Sequence, residues 1–70
     1  MKRRDLLRRI RREAKACGVE VTEREGGSHS RITVGKTSVR IPRHVEINIE
    51  TARSIMRDLD KEFGKGWSRL

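Results

Sequence analysis

The 70-residue sequence holds one cysteine, one proline, one phenylalanine, one tryptophan and no tyrosine. A single thiol, Cys17, closes no internal disulfide, which excludes a secreted scaffold held by disulfides. One cysteine and two histidines, His29 and His44, are too few for a dedicated zinc site, so neither a metal nor another cofactor is expected. The longest run of apolar or glycine residues, from Ala16 to Val19, is four residues long. No membrane-spanning helix and no secretory hydrophobic segment are therefore expected. The lone proline, Pro42, argues against a disordered chain of the proline-rich kind.

What the chain has in abundance is positive charge. Lys and Arg number 18 against 10 Asp and Glu, a net charge of +8 and a pI near 11.1. Charged residues make up 40% of the chain, well above the usual quarter, and hydrophobic residues 33%. A chain of this length buries only about 60% of its unfolded surface, so residues 1–70 are expected to form a single domain with a thin core. The expectation is a small, basic, cytoplasmic domain whose partners are polyanions. The charge falls into two basic zones. Residues 1–15 carry a net +6 and residues 26–43 a net +4, the latter with no acid among them. Between them, residues 19–25 come to −2.

Periodicity predicts an α+β domain of order α-β-β-β-α: a three-stranded antiparallel sheet with two helices on one face. Leu6, Leu7, Ile10, Ala14 and Cys17 form one helical stripe, and Gly18 is placed to stop that helix. Val19 and Val21, then Ile32 and Val34, then Val39 and Ile41 alternate with polar residues as three half-buried strands. Gly26-Gly27 and Gly35-Lys36 fit two-residue hairpin loops, and Pro42 ends the third strand. Asn48 is a good N-cap for a second helix with the stripe Ala52, Ile55, Met56, Leu59 and Phe63, ending at Gly64.

Those loops imply a register. Val21 would face Ile32, Val19 would face Val34, and Ile32 and Ser30 would face Val39 and Ile41. With the helices on that apolar face, the other is open and carries Arg24 opposite His29, Thr22 opposite Arg31, and Arg31 opposite Arg40. Like charges directly across a sheet destabilise it. An anion over Arg31 and Arg40 would relieve this, and a phosphate suits the guanidinium fork; a solvated face with splayed arginines would also relieve it. His29 opens the central strand on this face, just after Gly27-Ser28. Imidazole is the side chain suited to base chemistry near neutrality, and Arg24 and Arg31 are expected to favour its neutral form. Beside a held RNA phosphodiester, His29 could take the proton of a 2′-hydroxyl that then attacks phosphorus, while arginines stabilise the added charge. DNA lacks that hydroxyl and would be spared.

The run Gly27-Ser28-His29, followed by Ile41-Pro42-Arg43-His44-Val45-Glu46-Ile47-Asn48 and Thr51-Ala52-Arg53-Ser54-Ile55, resembles the HicA family of bacterial toxins. The opening Lys2-Arg3-Arg4-Asp5-Leu6-Leu7-Arg8 does too, and the likeness covers roughly residues 2–60. It implies a double-stranded-RNA-binding-domain-like fold and a ribosome-independent mRNA interferase, an endoribonuclease neutralised by an acidic HicB-type antitoxin. It also implies that His29 is the catalytic histidine. The chain departs from the family's pattern at Ser30, where many members have a second histidine, and at Ile49-Glu50, where Pro-Gly is common. Glu50 suits the helix dipole but repels phosphate. The lysine cluster of true duplex-RNA binders near that helix start is absent, which weighs against pure duplex binding. The expected RNA contacts are Arg31 and Arg40, then Arg24, with Gly27 and Ser28 setting the approach of the RNA backbone. A non-catalytic RNA-binding module of the same fold, including an inactive toxin remnant, is the alternative.

Four further features carry expectations. The arginines of residues 3–12 suit RNA backbone or an acidic antitoxin; a membrane-surface role would call for aromatic anchors that the helix lacks. Cys17 is expected in the core. His44 is expected to shape its loop by hydrogen bonding. Trp67 is expected to pack back on Phe63 rather than meet a partner.

Overall fold

Leu6, Leu7, Ile10 and Ala14 lie on one stripe of α1 (Arg3–Cys17), and all four are buried. Gly18 ends the helix in the left-handed conformation, φ 70° and ψ 29°, which glycine adopts without steric cost. A computed structural model describes residues 1–64, 66 and 67. After α1 come β1 (Val21–Gly26), β2 (His29–Val34) and β3 (Thr37–Pro42), an antiparallel sheet in the order β1-β2-β3. The chain then forms α2 (Ile49–Asp58) and the short α3 (Asp60–Phe63). The expected α-β-β-β-α architecture is the one observed.

Strand alternation gives the sheet its two faces. Ile32 and Val34 of β2 and Val39 and Ile41 of β3 turn inward and join Leu6, Leu7, Ile10, Ile47, Ala52, Ile55, Met56 and Leu59 in one buried cluster. Each such large side chain stabilises the fold by about 1.5–3 kcal/mol through burial. Asn48 caps α2, its Oδ1 accepting from the Glu50 N–H at 2.8 Å. The second hairpin has the expected register, with Ile32 opposite Val39, Ser30 opposite Ile41 and Arg31 opposite Arg40.

The first hairpin does not. Its loop is Gly27-Ser28, with Gly26 paired to His29, so Val21 faces Val34 and Arg24 faces Arg31. The expected pairs Val21–Ile32, Arg24–His29 and Thr22–Arg31 are displaced by two residues. The cause lies at the other end of β1. The Val19 N–H donates to the Ala14 carbonyl at 2.8 Å in the turn out of α1, so the strand begins at Val21, not Val19. The Gly35 N–H then donates to the Glu20 carbonyl at 2.9 Å and sets the new register. A slip of two keeps every side chain on its face, so hydrophobic alternation could not detect it.

Two smaller expectations change. Cys17 is exposed, because the stripe outruns the core at the last turn of α1; its thiol lies 3.6 Å from Glu13. The Cys17 thiol is pushed above its usual pKa, by desolvation first and by Glu13 second. The second helix is interrupted at Leu59, whose N–H bonds back three residues to Met56 at 3.1 Å and tightens the turn. Leu59 remains fully buried and Phe63 packs against the core. Trp67 does fold back: its ring meets Phe63 edge-on at 4.7 Å, and its Nε1 donates to the Met56 carbonyl.

Candidate functional site

The open face of the sheet carries three cross-strand rows. Gly26, His29 and Pro42 form the first, Arg24, Arg31 and Arg40 the second, and Thr22, Thr33 and Ser38 the third. The register of the first hairpin is what brings Arg24 into line with the other two arginines. Among the described residues, none of the three is paired with a carboxylate, and all three are exposed. Paired residues across a sheet stand about 4.5–5.5 Å apart at Cα, so the three arginines share one strip of surface.

The acids of β1 flank Arg24 in sequence but sit on the opposite strand face. Glu23 and Glu25 alternate with Arg24 and so project from the other side of the strand. Glu23 pairs with Arg11 and approaches Arg3 at 3.9 Å, and Glu25 pairs with Arg43 at 3.1 Å. Period-two alternation thus turns a mixed-charge sequence into a mainly cationic face, with Glu25 at its margin held by Arg43.

A half-open groove of about 500 Å³ lies over this face, lined by Arg24, Arg31 and Arg40, by Gly27, Ser28 and His29, and at its margin by Glu25. Every residue expected at the site lines it. His29 is partly buried, and its Nδ1 lies 3.1 Å from Ser28 Oγ. When Ser28 Oγ accepts from Nδ1–H, Nε2 keeps its lone pair free to accept a proton. His29 and Arg31 are two residues apart on one face, about 7 Å along the strand. A phosphate on the arginine row therefore lies within reach of the imidazole. A Cβ at Gly27 would meet no protein atom within 4 Å, and Gly27 does not have positive φ. Gly27 therefore serves no strained turn, and the space beside it is open.

Two contributors were not legible in the sequence. Arg3 looked like one more cation on α1. It is instead half-buried, its Nη2 donating to the buried Ser30 hydroxyl at 2.7 Å and its Nε to the Pro42 carbonyl at 3.1 Å. It braces the His29 end of the sheet from the covered side. Arg43 donates its backbone N–H to the Ser28 carbonyl at 3.1 Å, holding the Gly27-Ser28 turn against the end of β3. Position in the arginine-rich run hid Arg3; only the docking of the α1 N-terminus reveals it. That docking comes from the Arg3 N–H to Val45 and Ile47 N–H to Met1 backbone bonds and from the Met1 ammonium on Glu46. His44, expected to shape this loop, makes no hydrogen bond through its ring among the described residues; it is exposed beside Lys2 and Arg4.

Arg4, Arg8, Arg11, Arg12 and Lys15 of α1 line a second basic surface, which Arg11 joins to the sheet through Glu23 of β1. Among the described residues no three His, Cys, Asp or Glu side chains gather to hold a metal ion. No helix among them is long and apolar enough to cross a membrane. No protein-family description, curated protein or solved structure matches the chain.

Proposed function

We propose that this chain is a HicA-like toxin: a cytoplasmic, metal-independent endoribonuclease that cleaves mRNA and is held in check by an acidic HicB-type antitoxin. The observation that carries the reading is the unpaired Arg24-Arg31-Arg40 row beside His29 in one open groove. The residues of the HicA resemblance support it, since Gly27-Ser28-His29 forms one edge of that groove and Pro42 flanks His29.

In the proposed reaction the guanidinium row holds the scissile phosphodiester. His29 Nε2 takes the proton of the adjacent 2′-hydroxyl, and the 2′-oxygen attacks phosphorus. The bond to the 5′-oxygen breaks, leaving a 2′,3′-cyclic phosphate. The departing 5′-oxygen takes the proton back from the imidazolium, so His29 serves as base and then acid. The arginines bind the charge that accumulates on the phosphoryl oxygens.

The test is expression of wild type and His29→Ala in cells, with growth and RNA integrity followed together. Arrested growth and fragmented RNA with wild type, and neither with the variant, is the expected result. Equal toxicity and equal cutting would remove His29 from the chemistry. No cutting by either, with equal RNA binding, would leave the RNA-binding module instead.

A further inference from the structure

A second groove begins where the first ends, and Arg40 lines both. It has a volume of about 460 Å³ and runs along the outer edge of β3 beneath α2. Thr51, Ser54, Ile55 and Asp58 fall at helical spacing i, i+3, i+4, i+7, so one stripe of α2 forms its wall. Ile55 and Val39, almost wholly buried, supply an apolar floor. The hydroxyls of Thr51, Ser54 and Ser38 and the Asp58 carboxylate line the rim. β3 is an edge strand, so its outer row of backbone N–H and C=O groups has no strand partner on this side.

This lining is wrong for a phosphate and right for a base. A carboxylate repels phosphate, and Arg40 alone brings positive charge, at the mouth shared with the His29 groove. An apolar floor with a few polar rim groups is the usual make-up of a site for a flat heterocycle. Sequence-specific RNA binding works through splayed single-stranded bases whose edges are hydrogen-bonded and whose faces stack on apolar, aromatic or guanidinium surfaces. The Asp58 carboxylate only accepts hydrogen bonds, so it favours a base edge with an exocyclic amino donor over uracil, whose lone N3–H donor is flanked by two carbonyl oxygens that a carboxylate repels.

We infer that the groove between β3 and α2 is a nucleotide subsite. It takes one unpaired RNA base flanking the cleaved phosphodiester, and Asp58 selects for an exocyclic amino group and against uracil. The inference rests on the proposed RNA function and deepens it. Arg40 marks the step between the two grooves, with the phosphate on its open-face side and the neighbouring base turned over the sheet edge. Ser38, hydrogen-bonded to Thr33 at 3.0 Å, ties this rim to the open face.

The experiment uses short single-stranded RNAs with one base varied, or removed to leave an abasic site, at each position around the cut. Wild type, Asp58→Asn and Ser54→Ala are compared. Cleavage is read as kcat and KM, and binding is read separately on the His29→Ala background, so the subsite is measured whether or not the chain cuts. Wild type should favour an amino-bearing base over uracil about tenfold or more at one flanking position. Asp58→Asn should largely erase that preference, because its amide both donates and accepts. Ser54→Ala should weaken binding several-fold only for RNAs that carry the base. All three proteins should bind the abasic RNA equally. Binding with base preference but without cleavage overturns the nuclease reading and keeps the subsite. Unchanged preference in Asp58→Asn, or no preference in wild type, overturns the subsite and leaves His29 untouched.

Discussion

The two faces of the sheet are built from the same eighteen strand residues and treat charge in opposite ways. On the covered face three polar side chains near the core are partnered: Ser30 accepts from Arg3, Glu23 meets Arg11 and Arg3, and Thr37 donates to Glu62 at 2.8 Å. On the open face three arginines stand in a row, none of them ion-paired with a carboxylate among the described residues. A small domain has little stability to spend on such repulsion. One face answers to folding; under the proposed function the other answers to a ligand that brings its own negative charge. The thin core fits this division, because the row lies where no core packing depends on it.

That contrast can be broken from either side. His29→Ala is expected to lower single-turnover RNA cleavage by about 10²–10⁴-fold, with RNA affinity and unfolding midpoint little changed. A variant that cuts normally, or that unfolds, would sever the link between the open face and the chemistry. The covered face should answer in the other currency. Ile41→Ala removes a fully buried side chain and should cost about 2–5 kcal/mol in denaturant unfolding. A loss well under that range would mean the helices are not seated on Ile41.

Arg3→Ala tests the brace between the faces. It leaves Ser30 Oγ buried without its donor, which should cost about 1–3 kcal/mol, and cleavage should fall with it. Stability unchanged in urea would reduce Arg3 to a surface cation. Arg31→Ala should do the reverse. Binding should weaken for all RNA sequences, and the slope of log affinity against log salt should drop by about 0.7. Stability should hold or rise slightly, since two cross-strand repulsions disappear. An unchanged salt slope would mean that no phosphate sits on the row.

The smallest effect concerns pH. The Glu46 carboxyl is held below its usual value, chiefly by its hydrogen bond from the Met1 ammonium, with desolvation opposing and further help from Lys2. A carboxyl lowered on folding stabilises the fold above its unfolded pKa of about 4.3, and that contribution fades as pH falls through the folded value. Glu46→Gln should therefore flatten the acid limb of the stability profile slightly; identical limbs would show the tie contributes nothing.

Much of the fold was legible because its signals are local. Helix α1, the Gly18 cap, the Asn48 cap and the Gly35-Lys36 hairpin each follow from a few adjacent residues. His29, Arg31 and Arg40 could be placed together because one correct hairpin register joins β2 to β3. The first hairpin was not readable in this way. Gly26-Gly27 and Gly27-Ser28 are both acceptable turns, and a two-residue slip leaves hydrophobic alternation intact. Nor was the Arg3 brace, because an arginine that reaches under the sheet has the same local sequence as one that reaches into water.

The sequence alone determined which strand residues face in and which face out, for alternation belongs to the chain. It therefore determined that a strongly basic protein would put part of its charge beside His29. Only the tertiary structure decided that Arg24 stands in line with Arg31 and Arg40, that Glu23 and Glu25 are drawn away to Arg11, Arg3 and Arg43, and that α2 lies over the edge of β3 to form a second groove. The reason is physical. A residue's face is set by its own backbone, but its partner is set by where α1 releases the chain into β1 and where the loop after β3 delivers α2.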